Sequence, residues 1–254
     1  MPKTIVMIHG AFAGGWCFEN FAHVLAGQGW ACHAPDLRFH EMGPTTVPDP
    51  RLATTSLADY TADMAAFIDG LGERPVIIGH SMGAIIAQQL AAKGLARALV
   101  LLASVAPWGI LPSSDEERAV ATGLMAACAF WTRALNPCFP VACGDSLANL
   151  DPASQRRVFD RLGPESGRAL FELFFWMFDK TRASDVDAQS VQCPVLVMAG
   201  AADKVISPVT AGSIAQLYGQ HPAFHVAPGQ GHFLMLEPGW EDVAGHCASW
   251  LEKA

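Results

Sequence analysis

The sequence predicts an α/β protein with a mainly parallel sheet flanked by helices, because short apolar runs alternate with amphipathic stretches along most of its 254 residues. A second observation agrees. The runs Thr4 to Ile8, Ala31 to Ala34, Val76 to Ile78, Ala98 to Leu102, Val195 to Met198 and, more weakly, Ala223 to Val226 are largely apolar without polar alternation, as strands covered on both faces must be. Between them, Leu57 to Leu71 reads as a helix. Leu57, Tyr60, Met64, Phe67, Ile68 and Leu71 recur at helical spacing behind a Ser56-Leu57-Ala58-Asp59 capping signal. Met82 to Lys93 reads as a second helix ended by Gly94, and Trp240 to Leu251 as a third whose apolar side closes the core.

The rhythm breaks between Pro107 and about Gln192, where helical patterns rich in aromatics replace strands. This divides the chain into a core of residues 1–106 and 193–254 and a helical cap insertion of residues 107–192. The stretch Phe171 to Phe178 is too apolar all round for a solvent-facing helix. It fits either a buried helix or the inner face of a lid, with Trp131, Phe175 and Trp176 as candidate pocket residues.

Composition narrows the function. The hydrophobic fraction is 51% and the charged fraction 16%, which implies a large core and argues against disorder. A net charge of -8, with no basic cluster to neutralise phosphates, makes nucleic acid a poor partner. The first apolar run breaks at His9-Gly10, too short for a membrane span or a signal sequence, so the expected location is cytoplasmic. Seven scattered cysteines without ligand spacing read as mostly reduced core residues, and neither a metal nor a cofactor is expected.

Chemistry enters at Gly79-His80-Ser81-Met82-Gly83, a G-x-S-x-G pentapeptide set between a strand and a helix. Turning from strand to helix within about two residues strains the central residue and needs small neighbours. Gly79 and Gly83 meet that need, and Ser81 becomes a candidate nucleophile. A serine hydroxyl is weak at neutral pH and needs a base, which in turn needs a group to fix its tautomer. Asp203 follows the run ending at Met198, and His232 follows the run ending near Val226. Asp203 alone also fits a loop-capping acid. Among the other histidines, His80 adjoins the serine and His9 lies in the loop after the first strand, so neither is free to serve as the base.

The elbow and the order Ser, Asp, His resemble the α/β-hydrolase superfamily over essentially the whole chain. The resemblance implies an oxyanion hole from the N–H of Met82 and from the His9-Gly10-Ala11-Phe12 loop, with Ala11 placed ahead of Phe12 as the second donor. Gly10, Gly14 and Gly15 would let that loop approach the substrate. Because the loop starts at residue 9, the expected sheet has about six strands rather than the eight of larger members. Asp36-Leu37-Arg38 is similar to a family turn and is read as structural.

A serine nucleophile argues for acyl transfer. The run His9 to Trp16 is similar to the H-G-x-x-x-G-x-W start of plant methyl esterases and hydroxynitrile lyases. The lyases carry a lysine where this chain has Phe233, so the expected activity is that of a serine carboxylesterase on small or medium apolar esters. Phe12 and Phe233 join Trp131, Phe175 and Trp176 as candidate substrate-binding residues. A lactonase, thioesterase or perhydrolase would use the same triad, and a small-molecule receptor on the same fold is the alternative from another class. The expected partner is a small ester, with neither nucleic acid nor membrane.

Overall fold

The computed structural model describes residues 3–40, 42–219 and 223–254; the leading Met1 and Pro2 lie outside them. Strands β1 (Thr4–Ile8), β2 (Ala31–His33), β3 (Val76–His80), β4 (Ala98–Leu102), β7 (Val195–Gly200) and β8 (Ala223–Ala227) form a six-stranded sheet. Its order is β2-β1-β3-β4-β7-β8, and every neighbouring pair is parallel. The expected fold class and strand number are therefore those observed. β1, β3 and β4 are buried along their whole lengths, which is why their sequences lack polar alternation.

The helices are α1 (Glu19–Ala26), α2 (Leu57–Leu71), α3 (Met82–Ala92), α4 (Asp115–Ala126), α5 (Phe139–Gly144), α6 (Pro152–Phe159), α7 (Gly167–Phe174), α8 (Pro208–Ala215) and α9 (Trp240–Leu251). α2 begins with a full capping box, in which the Ser56 hydroxyl accepts from the Asp59 N–H and the Asp59 carboxylate accepts from the Ser56 N–H. Two apolar clusters, one on each sheet face, make the core. One contains Phe18, Phe21, Phe233 and the α9 residues Val243, Ala244, Cys247 and Leu251. The other contains Tyr60, Met64 and Ile68 of α2 and most of α3.

All strands of the large sheet lie outside the span 107–192. Within that span lie α4 to α7 and a small antiparallel pairing of β5 (Ala134–Leu135) with β6 (Glu165–Ser166), for which the sequence carries no alternation signal. Another expectation fails at Phe171 to Phe178. α7 stops at Phe174 and a 3-10 turn over Trp176–Phe178 follows, leaving Met177 and Phe178 more than half exposed. The cysteines depart from expectation too. All seven are free, but only Cys17 and Cys247 are buried, and Cys128 and Cys138 are exposed.

Close backbone approach explains two glycines of the pentapeptide. A Cβ on Gly83 would lie 2.2 Å from the Ile8 carbonyl oxygen, and one on Gly79 would lie 2.5 Å from the Ala84 Cα. α3 thus packs onto β1 and β3 at a distance no larger residue permits. Gly83→Ala is expected to destabilise the protein by about 3 kcal/mol, lowering Tm by roughly 6–12 °C. Gly70→Ala, in α2 with nothing within 4 Å of its Cβ position, should leave Tm unchanged or raise it slightly. Thermal unfolding of both variants checks the contrast.

Candidate active site

The sequence places a serine where β3 must become α3, and Ser81 takes φ 52°, ψ -118°. Positive φ is rare for a residue with a Cβ and costs on the order of 1–3 kcal/mol. Two backbone bonds hold it: the Ser81 N–H donates to the Leu102 carbonyl at 3.0 Å, and the Ser81 carbonyl accepts from the Ala84 N–H at 3.0 Å. Met82, the first residue of α3, is fully buried, and its N–H belongs to the first turn, which has no intrahelical acceptor. The positive end of the helix therefore lies beside the serine.

Asp203 follows β7 and His232 follows β8, and the structure brings them together. His232 Nδ1–H donates to Asp203 Oδ2 at 2.9 Å, while Asp203 Oδ1 accepts from the N–H groups of Val205 (2.8 Å) and Ile206 (3.0 Å). With its proton on Nδ1, the neutral imidazole keeps a lone pair on Nε2. Burial opposes the charged form of His232, but the Asp203 carboxylate and its hydrogen bond outweigh it and raise the pKa. His80 ties this imidazole's loop to the serine's. Its Nε2–H donates to the His232 carbonyl at 3.0 Å, and the two rings lie 4.9 Å apart. Ser81, Asp203 and His232 are each less than a tenth exposed.

The loop after β1 completes the arrangement. A Cβ on Gly10 would lie 2.8 Å from the Ser81 Cβ, so this loop passes against the serine. His9 Nε2 accepts from the Leu37 N–H at 3.0 Å and its Nδ1–H donates to the Gly10 carbonyl at 2.9 Å. That pattern requires a neutral ring, and burial first, then the charge of His40, lowers its pKa to about 4. Phe12 is at φ 63° and its N–H donates to Glu165 Oε2 at 3.3 Å. Gly14 and Gly15 serve a different purpose from the one expected. Their Cβ positions meet Asp36 at 2.9 Å and the Ala34 carbonyl oxygen at 1.9 Å, so they allow packing against the turn after β2. Asp36 itself accepts from the Gly15 N–H at 2.7 Å, which is the structural part expected of it.

The five candidate substrate-binding residues do not form one group. Phe12 is half-buried, while Phe233 is buried in the core with its ring 5.1 Å from that of His80. Trp131 and Phe175 belong to an aromatic cluster with Phe130 and Phe171, in which Phe171 and Phe175 stack at 5.9 Å. Trp176 packs instead against Trp108, over which the Arg182 guanidinium lies at 3.8 Å. Among the described residues, no three His, Cys, Asp or Glu side chains group as metal ligands, and no helix is long and apolar enough to cross a membrane.

Two buried glutamates next to the site went unnoticed in the sequence. Glu237 accepts from the N–H groups on both sides of His232, those of Gly231 and Phe233, and from Asn149 Nδ2 at 2.7 Å. Glu165 accepts from four donors: Tyr60 O–H (2.8 Å), Ser166 N–H (2.6 Å), His40 Nε2–H (2.9 Å) and Phe12 N–H. Their sequence signals were weak. Glu237 has only its position five residues after His232, and Glu165 is only one acid in the turn-like run Gly163-Pro164-Glu165-Ser166-Gly167.

Comparison with known proteins gives these positions a context. The model of the alpha/beta hydrolase family matches residues 5–245. A pyrethroid hydrolase of Sphingobium wenxiniae is 30% identical over 79 residues, 31% of this chain and 27% of that protein. Methylesterase 18 of Arabidopsis thaliana is 34% identical over 80 residues, 31% of this chain and 29% of that protein. The matched segments thus span less than a third of either relative. Among solved structures, a thermophilic esterase from Thermogutta terrifontis superposes with a TM-score of 0.69 at 21% identity, covering 100% of this chain and 90% of that one, a likeness of fold.

Removing Glu237 would orphan two buried N–H donors, those of Gly231 and Phe233. Glu237→Ala is therefore expected to cost about 3 kcal/mol, measured as a Tm roughly 6–12 °C lower; an unchanged Tm would mean that the His232 loop needs no such brace.

Proposed function

Because the chain belongs to the alpha/beta hydrolase family, we propose that it hydrolyses carboxylic esters of small to medium apolar substrates through an acyl-enzyme on Ser81. The observation that carries this reading is the His232–Asp203 hydrogen bond, which leaves Nε2 as a base in a loop that His80 ties to the serine's own turn. Relatives named as a pyrethroid hydrolase and a methylesterase favour an ester as substrate.

In this mechanism His232 Nε2 takes the Ser81 proton as Oγ attacks the ester carbonyl, and Asp203 stabilises the imidazolium. The N–H groups of Ala11 and Met82 hold the oxyanion. Phe12 is the poorer donor for that task, since its N–H is committed to Glu165. His232 then gives its proton to the departing alkoxide. Water, deprotonated by the same nitrogen, releases the acid and restores the serine. Residues 107–192 act as a cap on a core of 1–106 and 193–254, and the candidate substrate contacts are Trp131, Phe175 and Trp176 from the cap and Phe12 and Phe233 from the core. Lactones, thioesters and peracids present the same acyl carbon to the same groups.

The test is hydrolysis of chromogenic esters of graded acyl length. Ser81→Ala should lower kcat by at least about ten-thousandfold with Tm nearly unchanged. Retained Ser81→Ala activity would remove the serine from the mechanism. The base must be unprotonated to act, and its pKa is raised. In the wild type, kcat/KM should therefore climb with pH through an apparent pKa above 6.5, and a limb below that value would point to another base.

A further inference from the structure

Glu165 sits at the start of the β6–α7 segment of the insertion, fully buried, yet its carboxylate reaches the loop after β1. It joins three separate pieces of chain to its own, through Phe12 of that loop, His40 of the turn after β2 and Tyr60 of α2, and it also accepts from its neighbour Ser166. The Phe12 carbonyl also accepts from the Gly163 N–H at 2.8 Å, so the insertion grips both polar groups of one residue. That residue has φ 63° and directly follows Ala11. We propose that Glu165 is a positioning residue for the oxyanion hole, fixing Phe12 in its left-handed conformation so that the preceding N–H, that of Ala11, faces the reacting carbonyl. This rests on the esterase reading above.

Hydrogen bonding indicates why a carboxylate is needed. His40 Nδ1 lies 3.1 Å from the Arg38 carbonyl, an acceptor, and Nε2 lies 2.9 Å from Glu165, so both ring nitrogens donate and the ring is an imidazolium. Burial disfavours that charge, but Glu165 more than compensates and raises the His40 pKa. Around it stand the neutral His9 ring, 4.9 Å away, and the Tyr60 ring at 5.6 Å. All four bonds to Glu165 thus come from donors. A glutamine of the same shape offers one oxygen and one NH2 group. If the oxygen stays with Tyr60 and Ser166, a neutral His40 can turn its Nε2 lone pair to the NH2, but the Phe12 N–H cannot adapt. The substitution therefore unfastens the loop while leaving most of the cluster paired.

The experiment compares wild type, Glu165→Gln and a core variant remote from the loop, Leu251→Ala, on one ester substrate and with a trifluoromethyl ketone. Ser81 Oγ adds to the ketone carbonyl, its proton passes to His232, and the resulting oxyanion occupies the same hole. The expected result for Glu165→Gln is a kcat lowered about tenfold to a hundredfold with KM little changed. Its ketone Ki should rise by the same factor as kcat/KM falls, whereas Leu251→Ala loses Tm but keeps kcat and Ki. Unchanged kcat and Ki in Glu165→Gln, or equal losses in Leu251→Ala, would overturn this inference and leave the esterase reading intact. Wild-type turnover that survives Ser81→Ala would overturn both.

Discussion

Ser81 lies at φ 52° because the chain passes from β3 into α3 without an intervening loop, and much of the molecule is arranged around that turn. The handover forces the first turn of α3 onto β1, where Gly83 nearly touches the carbonyl oxygens of Ile8 and His9 and Gly79 meets Ala84. It also brings the next loop, through Gly10, against the serine itself. The strain of about 1–3 kcal/mol is offset by burial, since α3 is covered on nearly all sides. One backbone constraint thereby sets the positive end of a helix beside the serine and fixes how close the β1 loop must run.

The loops around this turn lie outside the sheet ladder, and their N–H groups need acceptors from elsewhere. Buried carboxylates supply them. Asp203 holds Val205 and Ile206, Glu237 holds Gly231 and Phe233, and Glu165 holds Phe12. Glu117 of α4 does the same at the start of α8, accepting from the Ser207 N–H at 2.7 Å. Glu117, Asn149 and Glu165 all come from the segment between β4 and β7 and bind parts of the chain outside it. That segment is thus fastened to the same loops that present the candidate site, so changes in one are felt in the other.

What was legible in the sequence was local. The strands, the capping box of α2, the glycines of the turn and the residues after β7 and β8 each announce themselves within about ten positions. Glu165 was illegible because its partners Phe12, His40 and Tyr60 lie more than a hundred residues away, and no periodicity records such a contact. β5 and β6 are two residues long, below what alternation can reveal. The run Phe171 to Phe178 misled because it was read as one helix. The break after Phe174 turns Met177 and Phe178 outward. Gly14 and Gly15 were legible as glycines, but their neighbours at Ala34 and Asp36 come from another strand's end.

The proposed mechanism requires Ser81 to be an activated nucleophile. The most direct measurement exposes the folded protein to a fluorophosphonate, which loses fluoride as a serine oxygen bonds to phosphorus, and then maps the adduct by peptide mass. The expected result is a single adduct on Ser81, formed rapidly in the wild type and far more slowly in His232→Ala. An unlabelled protein, or an adduct on another residue while Ser81 stays free, would contradict it.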